Sequence, residues 1–128
     1  MNDILPVLDT DAPGFSKILE NDRWTLAMIL DSEPMHLENV TVISRHMETD
    51  EVFVLLEGDA CIYAGVGETV PITLRRISLQ KNKAFVVKAG TWHATIPQSG
   101  CKILVVENSG TGSSNTEKMP VTQAIFTG

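Results

Sequence analysis

The run Val52-Phe53-Val54-Leu55-Leu56 stops at Glu57-Gly58-Asp59 and resumes as Ala60-Cys61-Ile62-Tyr63-Ala64-Gly65, and this pattern limits the possible folds more than any other. Branched and aromatic side chains fit a pleated strand, and Glu-Gly-Asp is a turn signal, so the two runs read as a β-hairpin. The same grammar repeats along the chain. Phe15 to Leu19 and Trp24 to Leu30 read as strands joined through Glu20-Asn21-Asp22, and Asp31-Ser32-Glu33-Pro34 ends the second. After a loop at Val66-Gly67-Glu68-Thr69 come four short strands: Ile72 to Leu79, Ala84 to Val87, His93 to Ile96 and Lys102 to Glu107. No stretch carries a helical period of any length, and no segment repeats. Short strands at regular spacing with turn residues between them predict an all-β sandwich or barrel.

Alternation also assigns faces. From His36 to His46, Leu37, Asn39, Thr41 and Ile43 share one side, while Glu38, Val40, Val42, Ser44 and His46 share the other. The second set is expected to face the interior. In Trp24 to Leu30, the set Trp24, Leu26, Met28, Leu30 and the set Thr25, Ala27, Ile29 are both rather apolar. Such a strand is expected to be covered on two sides, by its own core and by another chain.

A chain of 128 residues fits one domain, with the barrel core at about 15–108, an irregular lead-in at 1–14 and a Ser, Thr, Gly and Asn-rich surface tail at 109–128. The formal net charge of −6 and pI near 4.9 argue against affinity for phosphate backbones, which needs clustered Lys and Arg. No apolar run approaches the ~18 residues of a membrane span, and Met1-Asn2-Asp3 lacks the basic start of a secretory signal. A soluble, cytoplasmic protein is expected. Cys61 and Cys101 lie far apart with no Cys-x-x-Cys, so two buried thiols are expected rather than a zinc finger or a redox pair.

The residues with chemistry fall in two segments. In the first, His46 is followed after four residues by Glu51 and after six more by Gly58; in the second, Gly90 is followed after two residues by His93. These segments resemble the two sequence motifs of the cupins. The first motif runs Gly, five residues, His-x-His, three or four residues, Glu, six residues, Gly, and here Glu38 replaces the Gly and Ser44 the first His. The second runs Gly, five residues, Pro-x-Gly, two residues, His, three residues, Asn, and here Asn82, Lys88 and Pro97 stand for Gly, Pro and Asn. The first of these three changes is mild, because Asn joins Gly most readily in left-handed turns.

The resemblance implies a jelly-roll β-barrel (double-stranded β-helix), commonly dimeric, with a metal or small ligand inside. It assigns His46, Glu51 and His93 as ligands of a divalent metal such as Zn, Fe, Mn or Ni, with open coordination positions of the catalytic kind. Alternatively, losing the first His to Ser44 weakens the site until it is empty. His46 and His93 also read as plain barrel-interior histidines, and Glu51 as a solvated partner of Arg45. Glu48 is an outside candidate ligand, and His36 reads as a surface strand residue. Candidate pocket residues are Ser44, Phe53, Tyr63, Arg76 and Trp92, against core packing for the aromatics and solvation for the arginine. The expected function is metal-dependent chemistry on a small oxygen-bearing metabolite, whether dioxygenase-like, isomerase or lyase, with a non-catalytic ligand-binding or sensing barrel as the alternative.

Overall fold

The computed structural model describes residues 4–65 and 73–126. The expected loop at 66–69 and the start of the expected strand at Ile72 lie outside the described residues. Ten strands carry the fold: β1 (Gly14–Glu20), β2 (Trp24–Leu30), β3 (Val42–His46), β4 (Glu51–Glu57), β5 (Ala60–Gly65), β6 (Arg75–Ser78), β7 (Ala84–Val87), β8 (Trp92–Pro97), β9 (Lys102–Asn108) and β10 (Thr116–Pro120). Between them the described residues form only 3-10 turns, at Glu33–Met35, Leu37–Asn39, Ser113–Asn115 and Gln123–Phe126. None is long and apolar enough to cross a membrane.

The strands make two five-stranded antiparallel sheets, ordered β1-β2-β9-β4-β7 and β10-β3-β8-β5-β6. Directly opposed residues share a face in antiparallel pairing. In the first sheet Phe15, Ile29, Ile103 and Leu55 therefore form one inward row, and Lys17, Ala27, Val105, Phe53 and Phe85 the next. Ala27, Ile103 and Val105 are fully buried there, in the cluster that joins the two sheets.

The second sheet is buried on both faces. Its outer face carries Ile43, Cys61, Tyr63, Trp92 and Ile96, a second apolar cluster closed by Phe126 and packed on by Met119, Val121 and Ile125. The stretch from Ser109, expected to be a surface tail, thus supplies an edge strand, β10 against β3, and then a cover. Its apolar residues are too few and too widely spaced to show a period of their own. The strand expected from His36 is also shorter: Leu37–Asn39 is a 3-10 turn and pairing begins at Val42. His36 is half-buried there, bonded to Asp31 at 2.6 Å, rather than on a strand.

Two turn positions follow from backbone chemistry. Gly58 has φ +73°, and a Cβ there would lie 2.7 Å from the Gly100 carbonyl oxygen, so the β4–β5 turn admits no side chain. Asn82, which stands where the motif has Gly, takes φ 64°. Its side chain tolerates the left-handed conformation that the turn before β7 requires. Cys61 and Cys101 are free and buried, and burial pushes both thiols up.

Candidate metal centre

Three strands bring His46, Glu51 and His93 together. His46 ends β3, where Ile43 and Arg45 take the opposite, buried face. Glu51 begins β4, and His93 lies on β8, in register with Ala64 of β5 on one side and with Ser44 of β3 on the other. The connection Met47–Asp50 is tied down on both sides: Met47 N donates to Asn115 O at 2.8 Å, and Asp50 Oδ1 accepts from Ala89 N at 2.9 Å. Gly90 N in turn donates to His46 O at 2.7 Å, which locks the two motif loops to each other.

One potential ligand atom from each residue lies within 4.8 Å of the others, a group that could hold a metal ion. Glu51 Oε1 is 3.2 Å from His46 Nε2 and 3.2 Å from His93 Nε2. Metal–ligand bonds of ~2.1 Å set neighbouring ligand atoms ~3.0 Å apart at right angles and ~3.4 Å apart at tetrahedral angles, so this spacing fits a shared ion. The far side of each ring is also engaged. His93 Nδ1 is 3.0 Å from Thr91 O, a carbonyl that can only accept, so Nδ1 carries the hydrogen and the neutral ring's lone pair is on Nε2. His46 Nδ1 is 2.9 Å from Thr116 Oγ1 of β10. Fixing a ligand ring from behind in this way is what metal sites do.

The electrostatics involve a fourth residue. Glu107 on β9 is directly opposite Glu51 and is 7% exposed. Burial would push the Glu51 carboxyl up, but its hydrogen bonds with His46 and His93 outweigh this and hold it down at about 2. Burial pushes Glu107 up to about 7, with the hydrogen bond and charge of Glu51 acting in the same direction. The pair is thus one ionised carboxylate aimed at the imidazoles and one carboxyl that gives up its proton only near neutral pH. The hydrogen bond that His46 donates to Glu51 raises His46, against the opposing pull of burial.

The group sits in a cavity of about 620 Å³ between the sheets, in the size range of small-molecule sites. No protein-family model matches the chain, and no curated protein matches it in sequence. Solved structures do match. A cupin-2 domain protein from Shewanella frigidimarina is 21% identical over 74% of this chain and 79% of that one, with a TM-score of 0.50. An RmlC-like cupin family protein with a double-stranded β-helix fold from Methanocaldococcus jannaschii is 10% identical over 84% and 93%, with a TM-score of 0.56.

The fold is that of the cupins.

The QdtA 3,4-ketoisomerase of Thermoanaerobacterium thermosaccharolyticum, solved in complex with TDP, shares it at 17% identity over 72% of this chain and 63% of that one, with a TM-score of 0.58. Within this cupin barrel the candidate pocket residues separate. Ser44 and Phe53 line the cavity, together with Val40 and Val42, the face expected to be interior. Tyr63, Trp92 and Arg76 do not. Tyr63 points to the outer face of its sheet, edge to face with Phe126 at 5.0 Å, and Trp92 lies under the Arg45 guanidinium at 4.5 Å. Arg76 is exposed, opposite Tyr63, and bonds Ser78 Oγ at 3.0 Å. The cause is common to all three: the sheet has a second core on its outer face, and alternation alone does not say which of two apolar faces is the cavity side.

Glu51 is buried with the histidines instead of pairing with Arg45, whose Nη2 meets Glu117 at 2.6 Å. Glu48 is exposed and outside the group. Sequence reasoning missed Glu107, Thr116 and Lys17. A signal for Glu107 was present, since it follows Ile103 and Val105 on the inward face of β9 and is the one acid in that alternation.

Proposed function

We propose that this cupin barrel binds a divalent metal through His46, Glu51 and His93 and performs metal-dependent chemistry there on a small oxygen-bearing metabolite. The observation that carries the reading is the convergence of two imidazole nitrogens and one carboxylate oxygen on a common point inside a cavity. Two neutral nitrogens with one carboxylate suit zinc, iron, manganese or nickel, and three protein ligands leave positions open for substrate. When bound, such an ion supplies Lewis acidity toward a substrate oxygen.

The chain's own residues supply the rest. Thr91 O and Thr116 Oγ1 hold the two rings in place, and Glu51 contributes the negative charge. Glu107, raised to about 7, can take up or release a proton beside Glu51 on the cavity wall. Ser44, where the motif has its first His, lines the cavity and supplies no fourth nitrogen ligand. Substrate is oriented by an apolar wall that includes Ile29, Val42 and Phe53.

A second reading is a non-catalytic ligand-binding barrel. It draws on Ser44, which stands where the motif has its first His and so removes one ligand from the set.

Elemental analysis of the purified protein separates the two. A divalent metal near one per chain, falling to background in His46→Ala and His93→Ala, supports the metal centre. Background metal in the unmodified protein and no uptake on titration with zinc, iron, manganese or nickel would overturn it. Thermal stabilisation by a metabolite in that metal-free protein would then favour the second reading.

A further inference from the structure

The cavity wall is mostly apolar or neutral, and among its described residues one side chain is a permanent cation, Lys17. Its position is a built feature of the fold. Lys17 lies opposite Ala27, in the inward row beside the one that holds Glu51 and Glu107. In a regular strand Lys17 and Glu20 would point to opposite faces, because side chains alternate. The register slips by one residue between Lys17 and Leu19, and this bulge turns Glu20 to the Lys17 side. Glu20 is anchored there by Thr25 Oγ1, which donates to Oε2 at 2.6 Å, and Lys17 Nζ stands 3.7 Å from the same oxygen.

That ion pair is loose. The two side chains are 47% and 43% exposed, and exposed pairs of this kind contribute little, so the ammonium is oriented without being consumed. Counting charges then gives the ligand its sign. Glu51, set against a divalent ion and an ammonium, leaves the cavity wall with a net positive charge whether or not Glu107 holds its proton, in a protein whose overall charge is −6. A cavity of opposite sign to the molecule that carries it is arranged for an anion.

We propose that Lys17 makes the cavity selective for small molecules bearing an anionic group at the end remote from His46, Glu51 and His93. The ligand is then an organic acid or phosphate ester with a short apolar middle, rather than a neutral sugar or alcohol. The inference rests on the metal-centre reading for the seat of the other end. Arg76, the cation among the candidate pocket residues, is on the outer face of the other sheet.

The test uses zinc-loaded protein and 2-hydroxy diacids of four to six carbons. Each is paired with the 2-hydroxy monoacid in which a methyl group replaces the distal carboxylate, and with the analogue carrying a distal phosphate ester. Calorimetry on the unmodified protein should show a preference of about tenfold or more for a charged distal group, the carboxylate and phosphate arms identifying which anion is taken. Lys17→Met should erase the preference and Lys17→Arg should keep it, with metal content equal in all three. No preference in any pair, or one that survives Lys17→Met, overturns the proposal. Failure of the protein to load zinc would instead count against the metal centre. The same pairs, read on metal-free protein by ligand-observed NMR, then decide the role of Lys17 separately.

Discussion

At the residue scale, the site depends on atoms behind the ligands as much as on the ligands. Thr116 Oγ1 meets His46 Nδ1 from β10, a strand seventy positions further along the chain. Removing such a partner typically lowers metal affinity by about 10–100-fold. Thr116→Val is expected to do this, and Thr116→Ser to retain affinity, in competition with a chromophoric chelator. A merely structural role for Thr116 would instead show as a lower unfolding midpoint with affinity unchanged. No local pattern in the sequence signals this contact. His46, Glu51 and His93 were legible because their spacing is fixed by local turns and strands, whereas Thr116 reaches His46 only through the β3–β10 pairing.

At the element scale, two segments outside the main sheets matter, and the first shapes the cavity. The turns between Glu33 and Asn39 contribute Pro34, Met35 and Asn39 to its wall. They are held by Asn39 Nδ2 donating to Glu33 O at 2.8 Å and Gln123 Nε2 donating to Leu37 O at 2.8 Å. The 2.6 Å contact between His36 Nε2 and Asp31 Oδ1 closes the loop that enters them. The hydrogen bond to Asp31 raises His36 above its ordinary value. A raised histidine binds more protons folded than unfolded, so the pair's stabilisation is complete below pH ~6.5 and is lost as pH rises through the folded value. Urea midpoints of the unmodified protein and His36→Gln are therefore expected to differ more at pH 5.5 than at pH 8.5.

The C-terminal segment instead covers the outer face of the second sheet. Phe126 is 9% exposed and packs on Tyr63, so Phe126→Ala is expected to cost about 3 kcal/mol by chemical denaturation, at the low end for a buried phenylalanine. An unchanged stability would mean that the outer cluster holds without its cover. Neither the strand nor the cover was visible in the composition of 109–128, because a lone aromatic among Ser, Thr and Gly acquires a place only when a sheet offers it one.

At the scale of the whole molecule, the two sheets differ on their outer faces. The second is covered by the chain's own C-terminal segment. The first presents two straight rows, Ser16, Met28, Leu104, Val54, Ala84 and Leu26, Val106, Val52, Val86, that no described element overlies. Trp24 is 41% and Val86 54% exposed on this sheet. A contiguous apolar face of this kind is a place for a partner, and in a homo-oligomer most simply for the same face of a second copy. Light scattering is expected to give a dimer for the unmodified chain and a monomer for Leu104→Glu, which sets a charge at the centre of the face. A monomer at all concentrations would exclude this use of the surface.

What the sequence alone determined is local: where strands start and stop, which residues turn the chain, and that two imidazoles and a carboxylate occupy strand ends in two motif-like segments. These follow from side-chain shape, backbone freedom and a two-residue period, all of which act over a few bonds. The tertiary structure alone decided which apolar face became the cavity and which a second core. It also decided that Glu107 and Lys17 join the site, and that the last strand steadies His46. These depend on which strands pair and in what register, and that is settled by burying the most apolar surface across the whole chain at once, a sum that no short stretch of residues contains.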